Sequence, residues 1–72
     1  MYPLSLRANL VLMIKSEMRA NGEFFESIDM TFRDPFHQAI ARRQAALGEE
    51  PTGCVTWSVV RFYDPLNRET PN

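Results

Sequence analysis

The residue pattern predicts an α+β fold: a three-stranded antiparallel sheet in the order β-β-α-β, with one helix packed on one face. Three observations carry that expectation. Even positions from Leu4 to Met18 form an apolar row broken only by Ser16, Ala20-Asn21-Gly22 supplies a turn, and Asp34-Pro35 supplies a helix start.

The first predicted strand spans residues 4–19. Leu4, Leu6, Ala8, Leu10, Leu12, Ile14 and Met18 alternate with the mostly polar row of Ser5, Arg7, Asn9, Val11, Met13, Lys15, Glu17 and Arg19, the period of a half-buried strand. A helical stripe through Leu6, Leu10, Met13 and Ile14 is interrupted by Asn9, Glu17 and Asn21, so the strand is preferred. A three-residue hairpin loop with Gly22 in the left-handed conformation then sets Arg19 opposite Glu23. In that register Met18 meets Phe24, Ile14 meets Ile28, Leu12 meets Met30 and Leu10 meets Phe32, while Lys15 lies diagonal to Asp29 on the other face. A two-residue loop would pair Ile14 with Asp29 and mix the faces. The second strand is therefore expected over Phe24 to Phe32.

Asp34 as N-cap and Pro35 at the first helical position open a helix running to Leu47, with Gly48 as its C-terminal cap. Phe36, Ile40 and Leu47 centre its apolar face, flanked by Ala39 and Ala46, and His37, Gln38, Ala41, Arg42 and Ala45 face away. Arg43 falls within the apolar stripe. Its stem is expected to cover the core edge while its guanidinium reaches water or an acidic partner such as Glu26. Cys54 to Tyr63, rich in β-branched and aromatic residues, is the third strand, with Val55, Trp57, Val59, Arg61 and Tyr63 placed toward the helix. The apolar run Leu10 to Ile14 makes the first strand central. Residues 1–64 are read as one domain and 65–72 as a short flexible tail.

A chain of 72 residues buries only about 60% of its unfolded surface, so modest stability is expected. The formal net charge of −1 argues against a protein that grips nucleic acid by bulk charge and equally against a strongly acidic mimic. Arginine supplies all the basic side chains except Lys15, and its planar fork suits protein interfaces. One cysteine, Cys54, permits no internal disulfide and fits a reducing compartment. With no leader and no membrane-length apolar run, the expected location is cytoplasmic.

The chemistry-bearing residues do not assemble a recognisable active site. His37 is read as a surface histidine, Cys54 as a small strand residue, and Glu23, Glu26 and Asp29 lack metal-ligand spacing, so no catalytic residue, cofactor or metal is assigned. What remains is the sheet face opposite the helix, which would expose apolar side chains including Val60 beside charged ones. The partner-binding set is Val11, Met13, Lys15, Arg19, Phe25, Asp29 and Phe62 on that face, with Arg42 on the helix. Two other uses of the same face are a nucleic-acid surface, with Arg7, Lys15 and Arg19 beside stacking aromatics, and a homodimer interface.

In size and plan, a hairpin over Leu10 to Phe32, one helix over Pro35 to Leu47 and a strand over Cys54 to Tyr63, the chain resembles several small phage-encoded inhibitors. These include type I anti-CRISPR proteins, which bind the CRISPR surveillance complex, and small inhibitors of bacterial RNA polymerase. The resemblance implies a non-enzymatic chain that acts by occupying the surface of a host protein or nucleoprotein complex in the bacterial cytoplasm. It rests on plan rather than motif, so no site residue is carried across by position.

Overall fold

The computed structural model describes residues 4–64, with side chains from Asn9 onward. Among the described residues there are three helices and no strand: α1 (Leu4–Ala20), α2 (Asp34–Ala46) and α3 (Trp57–Tyr63). The fold is helical, which overturns the predicted sheet. The lead-in 1–3 and the expected tail 65–72 lie outside the described residues.

The first reversal comes from α1. Leu10, Ile14 and Met18 are spaced by four, so the same residues satisfy both the even-numbered alternation and one face of a helix. Propensity breaks the tie. Only Val11 and Ile14 are β-branched between Leu4 and Ala20, and the rest are mostly Leu, Met, Ala, Arg, Lys and Glu, which lose little side-chain freedom in a helix. Ile14, Lys15 and Met18 are buried, Leu10, Val11 and Met13 pack half-buried against the core, and Asn9 and Asn21 stay exposed.

Gly22 takes the expected left-handed conformation at φ 75°, but it ends a helix rather than turning a hairpin. The Gly22 N–H donates to the Arg19 carbonyl at 3.0 Å and the Glu23 N–H to the Met18 carbonyl at 2.7 Å. These two bonds satisfy carbonyls that the end of α1 would otherwise leave open, the Schellman arrangement. Gly48 closes α2 in the same way, through its own bond to Ala45 and that of Glu49 to Gln44.

The predicted second strand, Phe24 to Phe32, is instead the later part of an irregular connection, 21–33. A helix offers no free backbone ladder for a strand to join, and it rises about 1.5 Å per residue against about 3.3 Å for a strand. The segment therefore returns along α1 only by bending. Several expected neighbours still meet: Met18 and Phe24 share the core, and Lys15 pairs with Asp29.

α2 begins one residue earlier than predicted. Arg33 is its N-cap and Asp34 makes no capping bond, so Asp34 serves as a negative charge in the first turn. Phe36, Ala39, Ile40 and Gln44 are buried, whereas Leu47, expected at the centre of the apolar face, is exposed. The predicted third strand is α3 preceded by a loop. Val59, Val60 and Tyr63 are all buried, which a strand of the predicted sheet, covered by a helix on one face only, could not do because Val59 and Val60 would point to opposite faces. Trp57, predicted to face the core, is exposed.

α3 packs against both α1 and α2 and closes one core of Ile14, Met18, Phe24, Phe36, Ala39, Ile40, Val59, Val60 and Tyr63. No helix among the described residues is long and apolar enough to cross a membrane.

Candidate functional site

Two polar clusters hold this core together and position the surface. In the first, Lys15 is buried at 1% exposure. Its Nζ donates to the main-chain carbonyls of Thr31 at 2.6 Å and Asp29 at 2.7 Å, and to Asp29 Oδ1 at 3.2 Å. The Phe36 ring lies 4.8 Å and the Phe24 ring 5.6 Å from the same ammonium. All three of its donors are thus engaged beneath the 21–33 connection. Asp29 Oδ1 also accepts from the Thr31 hydroxyl at 2.6 Å and the Thr31 N–H at 3.0 Å. These bonds, with that from Lys15, hold the Asp29 carboxyl down at about 2.

In the second cluster, Arg43 donates through Nε to the Tyr63 hydroxyl at 3.2 Å and through Nη2 to Glu23. Tyr63 donates its own proton to Glu23. One carboxylate just after the α1 cap thereby ties α2 to α3. The guanidinium stacks 4.1 Å from the Phe62 ring centre, so Arg43 is explained as a core-edge residue whose acidic partner is Glu23, not the anticipated Glu26. Burial first, and the Glu23 carboxylate second, push the Tyr63 hydroxyl up to about 12.

Gln44 performs a similar role for the 47–56 connection. Its Oε1 accepts from the Gly53 N–H at 2.9 Å and its Nε2 donates to the Cys54 carbonyl at 2.8 Å. His37, read from sequence as a surface residue, is half-buried, with Nδ1 2.8 Å from the Gly53 carbonyl oxygen. No group of three metal-ligating side chains occurs among the described residues.

The predicted partner-binding residues do not share one face, because the face was a sheet. Lys15 is buried and Asp29 is its half-buried partner, so both are structural supports. Met13 packs against the core, and Phe62 lies under Arg43. Arg42 is exposed on α2. Arg19 and Phe25 do stand at the surface: Arg19 donates to the Glu26 carbonyl, and Phe25 is 77% exposed one residue before it. Val11 lines an apolar groove.

That groove is what sequence reasoning missed. It has a volume of about 530 Å³ and is walled by Leu10, Val11 and Ile14 of α1, Met30 and Phe32 of the connection, Val55, and Val60 of α3. A shallower depression continues from it over Leu10, Val55 and Val60 to Thr56 and Trp57. Met30, Phe32 and Trp57 are 55%, 50% and 69% exposed at its margins. Among the described residues, no ionisable side chain lines either part. The available signal was the spacing of Trp57 and Val60, which share a helical face but would lie on opposite faces of a strand.

The surface therefore offers exposed apolar side chains on a firmly held connection, beside a groove with aliphatic walls. Compared with protein-family models, with curated proteins and with solved structures, the chain matches none.

Proposed function

We propose that this chain is a small non-enzymatic protein-binding module that sterically blocks a larger host protein or nucleoprotein complex, in the manner of the phage inhibitors it resembles in size. The observation that carries the reading is the 21–33 connection. Connections in compact domains are usually about 4–6 residues long, and longer ones commonly serve binding. This one is tied from beneath by the buried Lys15 ammonium, yet it turns Phe25, Met30 and Phe32 outward. Large apolar side chains on a preorganised loop lose little conformational freedom when they dock, which favours affinity. Phe25 is the apolar anchor and Arg19 its polar neighbour.

Of Arg7, Lys15 and Arg19, the cations of the nucleic-acid alternative, Lys15 is buried with every donor engaged, which favours the protein-binding reading.

The test is affinity capture from nuclease-treated bacterial lysate, with mass spectrometry of the recovered chains. The expected result is a stoichiometric subunit of RNA polymerase or of a CRISPR complex, lost at least tenfold in Phe25→Ala or Arg19→Ala while the thermal midpoint holds. Steeply salt-dependent binding to DNA or RNA with no protein captured would sink the proposal.

A further inference from the structure

We infer that, in the free protein, the groove is capped by a second copy of the chain, with Trp57 of each copy seated in the groove of the other. The inference shares with the proposed function the premise that exposed apolar surface here is interface. It shares Met30 and Phe32 with that reading, whereas Phe25 and Arg19 line no part of the groove.

Self-complementarity is the first argument. A two-fold interface needs both a projection and a recess on one continuous patch. Trp57 projects at 69% exposure from the start of α3, and the depression it borders runs through Leu10, Val55 and Val60 into the groove of about 530 Å³. That volume lies within the roughly 300–1,000 Å³ of pockets that bury drug-sized ligands, so an indole fits with a neighbouring side chain.

Charge is the second argument. Identical surfaces bring identical charges together, which penalises most patches on a protein. The described walls carry none, and the chain as a whole is only −1, so among the described side chains no like charges meet in the groove.

Area is the third. A fully buried aromatic contributes about 150–250 Å². Scaled by their exposure, Trp57 and Phe32 offer roughly 180–300 Å² per copy, and the half-exposed Met30 adds to it. The half-buried walls at Leu10, Val11 and Val55 add to this. A standard interface takes about 800 Å² per partner, so the dimer belongs to the weak, reversible class. Such a cap shields the groove and still opens on dilution.

Trp57 is the only tryptophan in the chain and reports directly on its own environment. The experiment is sedimentation velocity on the full chain between about 5 and 500 μM, with tryptophan emission recorded at each concentration. The expected result is a rise from one copy toward two, with emission moving to shorter wavelength in step. Trp57→Ala should weaken association at least tenfold with an unchanged helical circular-dichroism spectrum, and Trp57→Phe should restore part of it. A monomer at 500 μM overturns the inference, as does a Trp57→Ala variant that associates like the parent. Blue-shifted emission independent of concentration also overturns it, since the chain itself would then be covering the indole. None of these outcomes touches capture through Phe25, so the two proposals fail separately.

Discussion

Lys15 and Arg43 show how a charged side chain is held in the interior and at the core edge of so small a domain. Each ion is surrounded by acceptors and aromatic faces, which offsets the cost of leaving water. Removing a partner exposes that cost, because the remaining group has lost both its water and its hydrogen bond. Asp29 adds a pH dependence. Its folded pKa of about 2 lies below the ordinary 3.8, chiefly through the two bonds from Thr31 and then that from Lys15. A depressed carboxylate stabilises the fold fully above its unfolded pKa, and the contribution disappears as pH falls through the folded value. The thermal midpoints of the parent and of Asp29→Asn should therefore differ most above pH 4 and converge toward pH 2. A constant difference across that window would show that the Asp29 charge is not involved.

At the scale of elements, the 21–33 connection is as informative as the helices. It has no repeating backbone bonds, so its shape depends on Lys15 below and on Phe24 inserted in the core. Replacing Lys15 by methionine keeps the apolar stem but leaves the Asp29 and Thr31 carbonyls without their donor. The expected loss is about 2–4 kcal/mol, measured by urea unfolding. Amide exchange should accelerate selectively over residues 27–32. A loss below about 0.5 kcal/mol would mean that water replaces the ammonium freely. The connection also shows what the sequence made legible. Its return path along α1 was visible in the apolar pairing of Met18 with Phe24 and in the opposite charges of Lys15 and Asp29. Its conformation was not, because the alternating row in Leu10 to Met18 fits two periods at once.

For the whole molecule, one small core is shared by three helices and a buried phenylalanine from a loop. Ile40 is fully buried within it. Ile40→Ala should cost about 2–5 kcal/mol, a large share of what so short a chain can possess. The measurement is the urea midpoint at constant slope, and a loss below about 1 kcal/mol would indicate a core able to collapse around the gap. The scattered fate of the predicted site belongs to this scale as well. Val11, Lys15, Phe25 and Phe62 were joined only by a sheet face, and once the sheet is absent they occupy the groove wall, the interior, the surface and the underside of Arg43.

Local chemistry in the sequence by itself determined where α1 stops and where α2 starts and stops. Gly22 and Gly48 close helices because each supplies the left-handed turn that lets two backbone N–H groups satisfy terminal carbonyls. Pro35 lies in the first turn of α2, where its missing N–H costs nothing. The tertiary structure alone decided that α3 is a helix, that Lys15 points inward, and that Leu10, Met30, Phe32, Val55 and Trp57 meet around one groove. The reason is physical: caps are local hydrogen-bond requirements written in a few adjacent residues. The choice between two periods, and the meeting of residues far apart in the chain, depends on what each face finds to pack against.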